Sequence, residues 1–185
     1  MSQLSSREVL SSLLPGHVAL EKGVLERSIC EQYGKALLGS VLSDMSEDEV
    51  EAMKFSPIHD TSYVMDSVEA PSLISSLCGH LDSYMPDSVG TISLLRLRYQ
   101  RKCDYAFPHT DSLSDYRLSI PLLGTGEITI YDPITSEVSG TQLFEPGDVM
   151  ALNNNVQEFK KVPHSVISVS DERLVLVYGR EILKN

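Results

Sequence analysis

Phe107-Pro108-His109-Thr110-Asp111 is the stretch on which the reading of this 185-residue chain turns. On an extended backbone, side chains two residues apart share a face, so His109 and Asp111 present an imidazole nitrogen and a carboxylate oxygen in one direction. Farther along, Pro163-His164 offers a second imidazole, and Arg173 then heads the apolar run 174–178. Two histidines and one carboxylate on one side of an ion form the set that suits non-heme Fe(II) and leaves positions open for oxygen and a cosubstrate. Arg173 matters as much as the ligands. Its planar fork pairs with a carboxylate, and a strand following the distal histidine can aim it into the same cavity. The plainer alternatives are an Asx turn in a surface loop at His109 and Asp111, a satisfied core histidine at His164, and a guanidinium reaching for solvent at Arg173. Their joint, ordered occurrence favours a shared site.

Upstream of this stretch the pattern is helical. Residues 5–14 and 24–43 have helical spacing, with Leu25, Ile29, Tyr33, Leu37 and Leu38 as the expected apolar stripe. Ser46 with Glu49 reads as a capping box, and Pro71 opens a third helical stretch over 71–84. After Pro86 the character changes to short β-branched segments at 91–99, 117–123, 127–131, 142–144, 149–152, 165–170 and 174–178, divided by Gly, Pro, Asp or Asn. Helices first and strands second predict an α+β fold, a jelly-roll barrel on N-terminal helices. No repeat or linker marks a boundary. One domain over 1–185 is expected, with 1–88 as mainly helical support and 89–181 as the jelly-roll core.

Composition narrows the partners. With 15 Lys plus Arg against 26 Asp plus Glu, the net charge of −11 opposes binding to a long phosphate backbone. Arg96, Arg98, Arg101 and Lys102 form the one basic cluster, readable as a solvated edge strand or as part of the site. Cys30, Cys78 and Cys103 lack the spacing of a disulfide framework or a zinc site, which fits a reducing cytoplasmic setting. No run is long enough to span a membrane, and the polar start is not a signal peptide. His17, His59 and His80 lie in the helical half and read as structural or exposed. Asn153-Asn154-Asn155 reads as a turn.

From Leu95-Arg96-Leu97-Arg98-Tyr99 onward the chain resembles the 2-oxoglutarate/Fe(II)-dependent oxygenases, most closely their prolyl-4-hydroxylase-like branch. The matching features run through Tyr105, His109-x-Asp111, the Glu145-Pro146-Gly147-Asp148 turn, His164 and Arg173, covering roughly residues 91–180. Val175 stands where the family often has a serine. The resemblance implies a double-stranded β-helix of cupin type, with Fe(II) on His109, Asp111 and His164. It also implies 2-oxoglutarate clamped by Arg173, with Tyr99 or Tyr105 donating a hydroxyl to it. The implied reaction consumes O2 and 2-oxoglutarate, yields succinate and CO2, and hydroxylates or otherwise oxidises an unactivated C–H bond, with ascorbate as the usual in vitro reductant. A free amino acid or similarly small molecule is the expected substrate, since Arg96, Arg98 or Arg117 can meet its carboxylate. A peptide or protein side-chain hydroxylase is the alternative, and a non-catalytic cupin-like binding protein the second. A halogenase needs an open ligand position that Asp111 fills. Cupin isomerases and thiol dioxygenases use histidine-rich sets absent here.

Overall fold

Leu95, Leu97 and Tyr99 alternate with Arg96, Arg98 and Gln100, so this strand has one apolar and one polar face. The same parity holds across the sheet it joins and sets the layers of the protein. The computed structural model describes residues 5–44, 61–64, 72–111, 114–157 and 160–183. The elements, in order, are α1 (Ser6–Ser11), β1 (Val18–Glu21), α2 (Arg27–Asp44), β2 (Thr61–Val64) and α3 (Ser72–Leu81). A short 3-10 turn (Asp82–Tyr84) leads to β3 (Val89–Arg101), β4 (Tyr105–His109), β5 (Tyr116–Leu123) and β6 (Gly126–Tyr131). The chain ends with β7 (Val138–Phe144), β8 (Val149–Asn153), β9 (His164–Ser168) and β10 (Glu172–Ile182). Every strand pair is antiparallel.

Six strands form a major sheet in the order β1-β8-β5-β10-β3-β2, and four form a minor sheet in the order β4-β9-β6-β7. The two face each other as a jelly roll, as expected. One apolar layer packs the helices against the outer face of the major sheet. It includes Leu10, Cys30, Leu37, Leu77 and Leu81 from the helical segments, and Leu97, Leu118, Ile120, Leu174, Leu176 and Tyr178 from the strands. A smaller cluster lies between the sheets: Ala106, Ile128, Phe144, Met150, Leu152, Val162 and Val166. The six-stranded sheet is therefore a wall with a stabilising outer face and a separate inner one.

Several expectations need correction. Besides its helices, the N-terminal half adds two strands the sequence did not show: β1 pairs with β8 and β2 with β3, widening the major sheet on both edges. Both strands have four residues, too few to show a period in the sequence. The first helix stops at Ser11, and its capping box is Ser5 with Glu8. The Ser46–Glu49 box, Pro71 and His59 lie outside the described residues. On α2 the buried residues are Cys30, Gly34 and Leu37; Leu37 belongs to the expected stripe, whereas Ile29 is exposed. Gly34 lets this face approach the sheet. A Cβ there would lie 2.5 Å from Leu123 Cγ and 2.8 Å from the Leu122 carbonyl, so only glycine lets the helix rest on β5.

Candidate metal and cosubstrate site

The inner face of the major sheet and that of the minor sheet enclose a cavity lined by Arg98, Gln100, Arg117, Ser119, His164 and Arg173 among apolar neighbours. The metal-ligand candidates come from the strand pair β4–β9, where His109 is the Cα partner of His164. On β4, two residues lie between Ala106 and His109, whereas one lies between their partners Val166 and His164 on β9. That extra residue is a β-bulge at Phe107-Pro108, and it turns His109 to the side that Ala106 already faces.

His109 Nε2 lies 3.8 Å from Asp111 Oδ1, and His164 Nε2 lies 3.3 Å from Asp111 Oδ2. One donor atom from each residue lies within 4.8 Å of the other two, a group that can hold a metal ion. Both imidazoles are oriented in the same way. Nδ1 of His109 faces the Phe107 carbonyl at 2.7 Å, and Nδ1 of His164 faces the Val162 carbonyl at 3.4 Å. A proton held on Nδ1 leaves the Nε2 lone pair for a metal. His109 Nε2 and Asp111 Oδ2 are buried without a hydrogen-bond partner, a costly arrangement unless a cation receives them. Two imidazoles and a carboxylate fit Fe(II).

Charge holds the ligands in their metal-binding forms. Burial, the largest single influence, pushes the Asp111 carboxyl up, but Arg117, His164, His109 and Arg98 together outweigh it. The net effect holds the acid below its ordinary range. Burial pulls His164 down, more than Asp111 pulls it up, to about 4, so the ring is neutral near pH 7. Arg117 is itself buried; it pairs with Asp111 Oδ1, and its Nε donates to Ser119 Oγ at 3.3 Å. Of Arg96, Arg98 and Arg117, the three candidates for a substrate carboxylate, Arg117 sits on the Asp111 carboxylate instead. The guanidinium occupies Oδ1, and Oδ2 stays buried without a hydrogen-bond partner.

Arg173 faces the same cavity. It is buried, its Nη1 donates to Gln100 Oε1, and its Cζ lies 5.9 Å from the centre of the Phe144 ring. Gly126 makes room for it, since a Cβ on Gly126 would come within 2.6 Å of the Arg173 Nε. The register Arg173↔Gln100 and Val175↔Arg98 puts these four side chains on one face. Val175, at the position of the family's serine, lines the cavity as an apolar wall.

The two tyrosines do not join them. Tyr99 has the opposite parity and packs in the helix-side layer, where its hydroxyl donates to Glu172 at 2.9 Å. Burial, then this hydrogen bond, pushes its pKa up to about 12. Tyr105 precedes the bulge, so it faces opposite to Ala106 and stacks edge-on against Phe107, with ring centres 5.1 Å apart. Neither tyrosine lines the cavity. Arg96 and Arg98 are not on a solvated edge either, because β2 lies beyond β3. Asn153 ends β8: its Nδ2 donates to the Leu13 carbonyl at 2.7 Å and its Oδ1 accepts from the Asn155 N–H at 3.2 Å. His17 and His80 lie apart from the cavity, as expected. Gln100, Ser119 and Gly126 escaped sequence reading; their only signal was parity with Arg98, Arg117 and Arg173.

No protein-family model and no curated protein sequence matches the chain. Solved structures do. A prolyl-4-hydroxylase from Pseudomonas putida aligns with a TM-score of 0.63 and 11% identity over 97% of both chains. The chain has the fold of these oxygenases. The ribosomal oxygenase YcfD of Escherichia coli aligns at a TM-score of 0.55 and 12% identity over 98% of this chain and 52% of its own, so this chain spans about half its length. A viral collagen prolyl hydroxylase from Paramecium Bursaria Chlorella virus-1, solved with 2-oxoglutarate, aligns at 0.53 and 11% identity over 89% and 96%. Within that oxygenase fold, the His-Asp-His group of this chain sits between the two sheets. No helix among the described residues is long and apolar enough to cross a membrane.

Proposed function

We propose that this protein is a 2-oxoglutarate- and Fe(II)-dependent oxygenase that oxidises an unactivated C–H bond of a small molecule such as a free amino acid. The observation that carries the reading is the grouping of His109, Asp111 and His164 beside a cavity that His164 and the buried Arg173 both line. A mere binding protein has no need of all four. When bound, Fe(II), 2-oxoglutarate and O2 supply an oxidation in which succinate and CO2 form as one oxygen atom enters the substrate.

The chain's own part is positional and electrostatic. His109 and His164 keep their Nδ1 protons on backbone carbonyls and hold Nε2 toward the metal. Arg117 keeps Asp111 ionised. Arg173 offers its fork to the distal carboxylate of 2-oxoglutarate, with Gln100 fixing the other side of the guanidinium. Ile128, Phe144, Met150, Val166, Val175 and Val177 exclude water from the reacting centre.

Hydroxylation of a peptide or protein side chain is the second reading, favoured by the prolyl hydroxylases and the ribosomal oxygenase among the structures that share the fold. The test common to both is succinate release from 2-oxoglutarate by the purified protein with Fe(II) and ascorbate. Release that depends on His109, Asp111 and His164 supports the oxygenase. Metal binding without succinate, with any amino acid or peptide present, would return the protein to the non-catalytic cupin-like class.

A further inference from the structure

The inner face of the major sheet is strongly basic in a chain of net charge −11. Arg98, Arg117 and Arg173 line the cavity, and no aspartate or glutamate does among the described residues; Asp111 of the metal group lies beside it, paired with Arg117. Arg96 extends this face. On β3 it shares parity with Arg98 and Gln100, and its Cα partner is Val177, which lines the cavity. Val177 in turn pairs with Ser119 on β5, and the next inward position on that strand is Arg117. Arg96 and Arg98 both lie close enough to Arg117 to oppose its charge.

Three of the four guanidinium groups are engaged already, Arg98 among them. Arg117 holds Asp111, and Arg173 faces the cosubstrate's distal end. The charges of a divalent metal and of 2-oxoglutarate cancel each other, so neither neutralises Arg96. Arg96 Nε is buried with no hydrogen-bond partner, and no ion pair joins Arg96 to a described residue. A half-buried cation without an anion is costly, and the cost falls when a ligand brings one.

We infer that the substrate carries a carboxylate that Arg96, with Arg98 beside it, receives at the metal end of the cavity. The inference rests on the oxygenase reading and names the substrate class. One unpaired guanidinium asks for one negative charge, which a carboxylate supplies in the planar geometry of the fork; a phosphate dianion brings two. The register gives the direction. Arg173 pairs with Gln100 at one end of the inner face, and Arg96 lies four residues along β3, toward Arg117 and Asp111. A small molecule held there presents carbon atoms near its carboxylate to the metal, while 2-oxoglutarate enters from the Arg173 end.

The experiment compares free amino acids, their primary amides and small phosphate monoesters as stimulators of succinate release by the full chain with Fe(II), 2-oxoglutarate and ascorbate. In parallel, the same probes are titrated by thermal shift into protein loaded with Mn(II) and N-oxalylglycine, which binds without turnover. The expected result is stimulation and stabilisation by at least one acid and not by its amide. Arg96→Gln is expected to weaken that response at least tenfold, and Arg96→Lys to restore part of it. Amides as effective as acids, phosphate monoesters as the only effective probes, or an Arg96→Gln response equal to wild type would each overturn it. End-blocked peptides outperforming every free acid would also overturn it. If no succinate forms but acids alone stabilise the loaded protein through Arg96, the oxygenase reading fails and the carboxylate site stands. If succinate forms and acids and amides act alike, the reverse holds.

Discussion

The two faces of the major sheet are built from the same strands and do opposite work. Toward the helices, β5 shows Leu118, Ile120 and Leu122, and β10 shows Leu174, Leu176 and Tyr178, all fully buried in one apolar layer. Toward the minor sheet, the alternate residues are Arg117 and Ser119 on β5 and Arg173, Val175 and Val177 on β10. Burying leucine lowers free energy by itself, so the outer face stabilises the fold without help. Burying arginine does not, so the inner face is stable only through specific partners. Where a sheet keeps costly residues in its interior, ligand binding is the explanation to test first.

Substitutions on the two faces should separate accordingly. The largest effect is expected from Asp111→Ala, which removes both the carboxylate ligand and the partner of Arg117. Turnover should be abolished and metal affinity fall by orders of magnitude in a metal titration. Arg173→Ala comes next. Truncating one side of a buried bidentate pair costs about 3–5 kcal/mol, so the 2-oxoglutarate requirement should rise at least a hundredfold with metal binding nearly intact. Arg173→Lys, which lacks the fork, should recover only part of that.

Leu118→Ala probes the other face. It should destabilise the fold by about 2–5 kcal/mol and lower Tm by roughly 5–15 °C while leaving the 2-oxoglutarate KM unchanged. A shifted KM with an intact Tm would break the division between the faces.

Parity was the part of this fold most legible in sequence, and also the part most easily misread. Strands β5, β6, β8, β9 and β10 lie within a few residues of the expected segments, since each carries a β-branched run bounded by turn residues. His109, Asp111 and His164 each bring a donor atom within 4.8 Å of the other two, and Arg173 lines the cavity with His164. Tyr99 was misjudged although the signal was present: it continues the apolar set Leu95 and Leu97, not the polar set Arg96 and Arg98. Tyr105 was not legible in this way. Counting back by twos from His109 puts Tyr105 on the ligand face, and only the bulge at Phe107-Pro108 moves it off. A bulge is a property of strand pairing and shows only once β9 is alongside. The same holds for Arg117, whose ion pair with Asp111 joins the six-stranded sheet to the segment after β4.

The metal-free protein offers a pH test of the inner face. His164 has a folded pKa of about 4 against an ordinary 6.5, so between these values the unfolded chain takes up a proton that the folded chain refuses. Stability is therefore complete above about pH 6.5 and falls as pH drops through this window, by on the order of 3 kcal/mol in total. Denaturant titration of wild type and His164→Gln should show that slope in wild type alone. The smallest effect is expected from Gly126→Ala. Its new methyl would press on Arg173, raising the 2-oxoglutarate KM about tenfold, roughly 1.4 kcal/mol, with little change in Tm.

The most direct test of the shared site is an anaerobic titration of 2-oxoglutarate into the Fe(II)-loaded protein, following the visible charge-transfer band that a chelated 2-oxo acid produces. A saturable band in wild type is expected, absent in Asp111→Ala and displaced to at least hundredfold higher 2-oxoglutarate in Arg173→Ala. No band in wild type, or one that titrates identically in Arg173→Ala, would contradict the account.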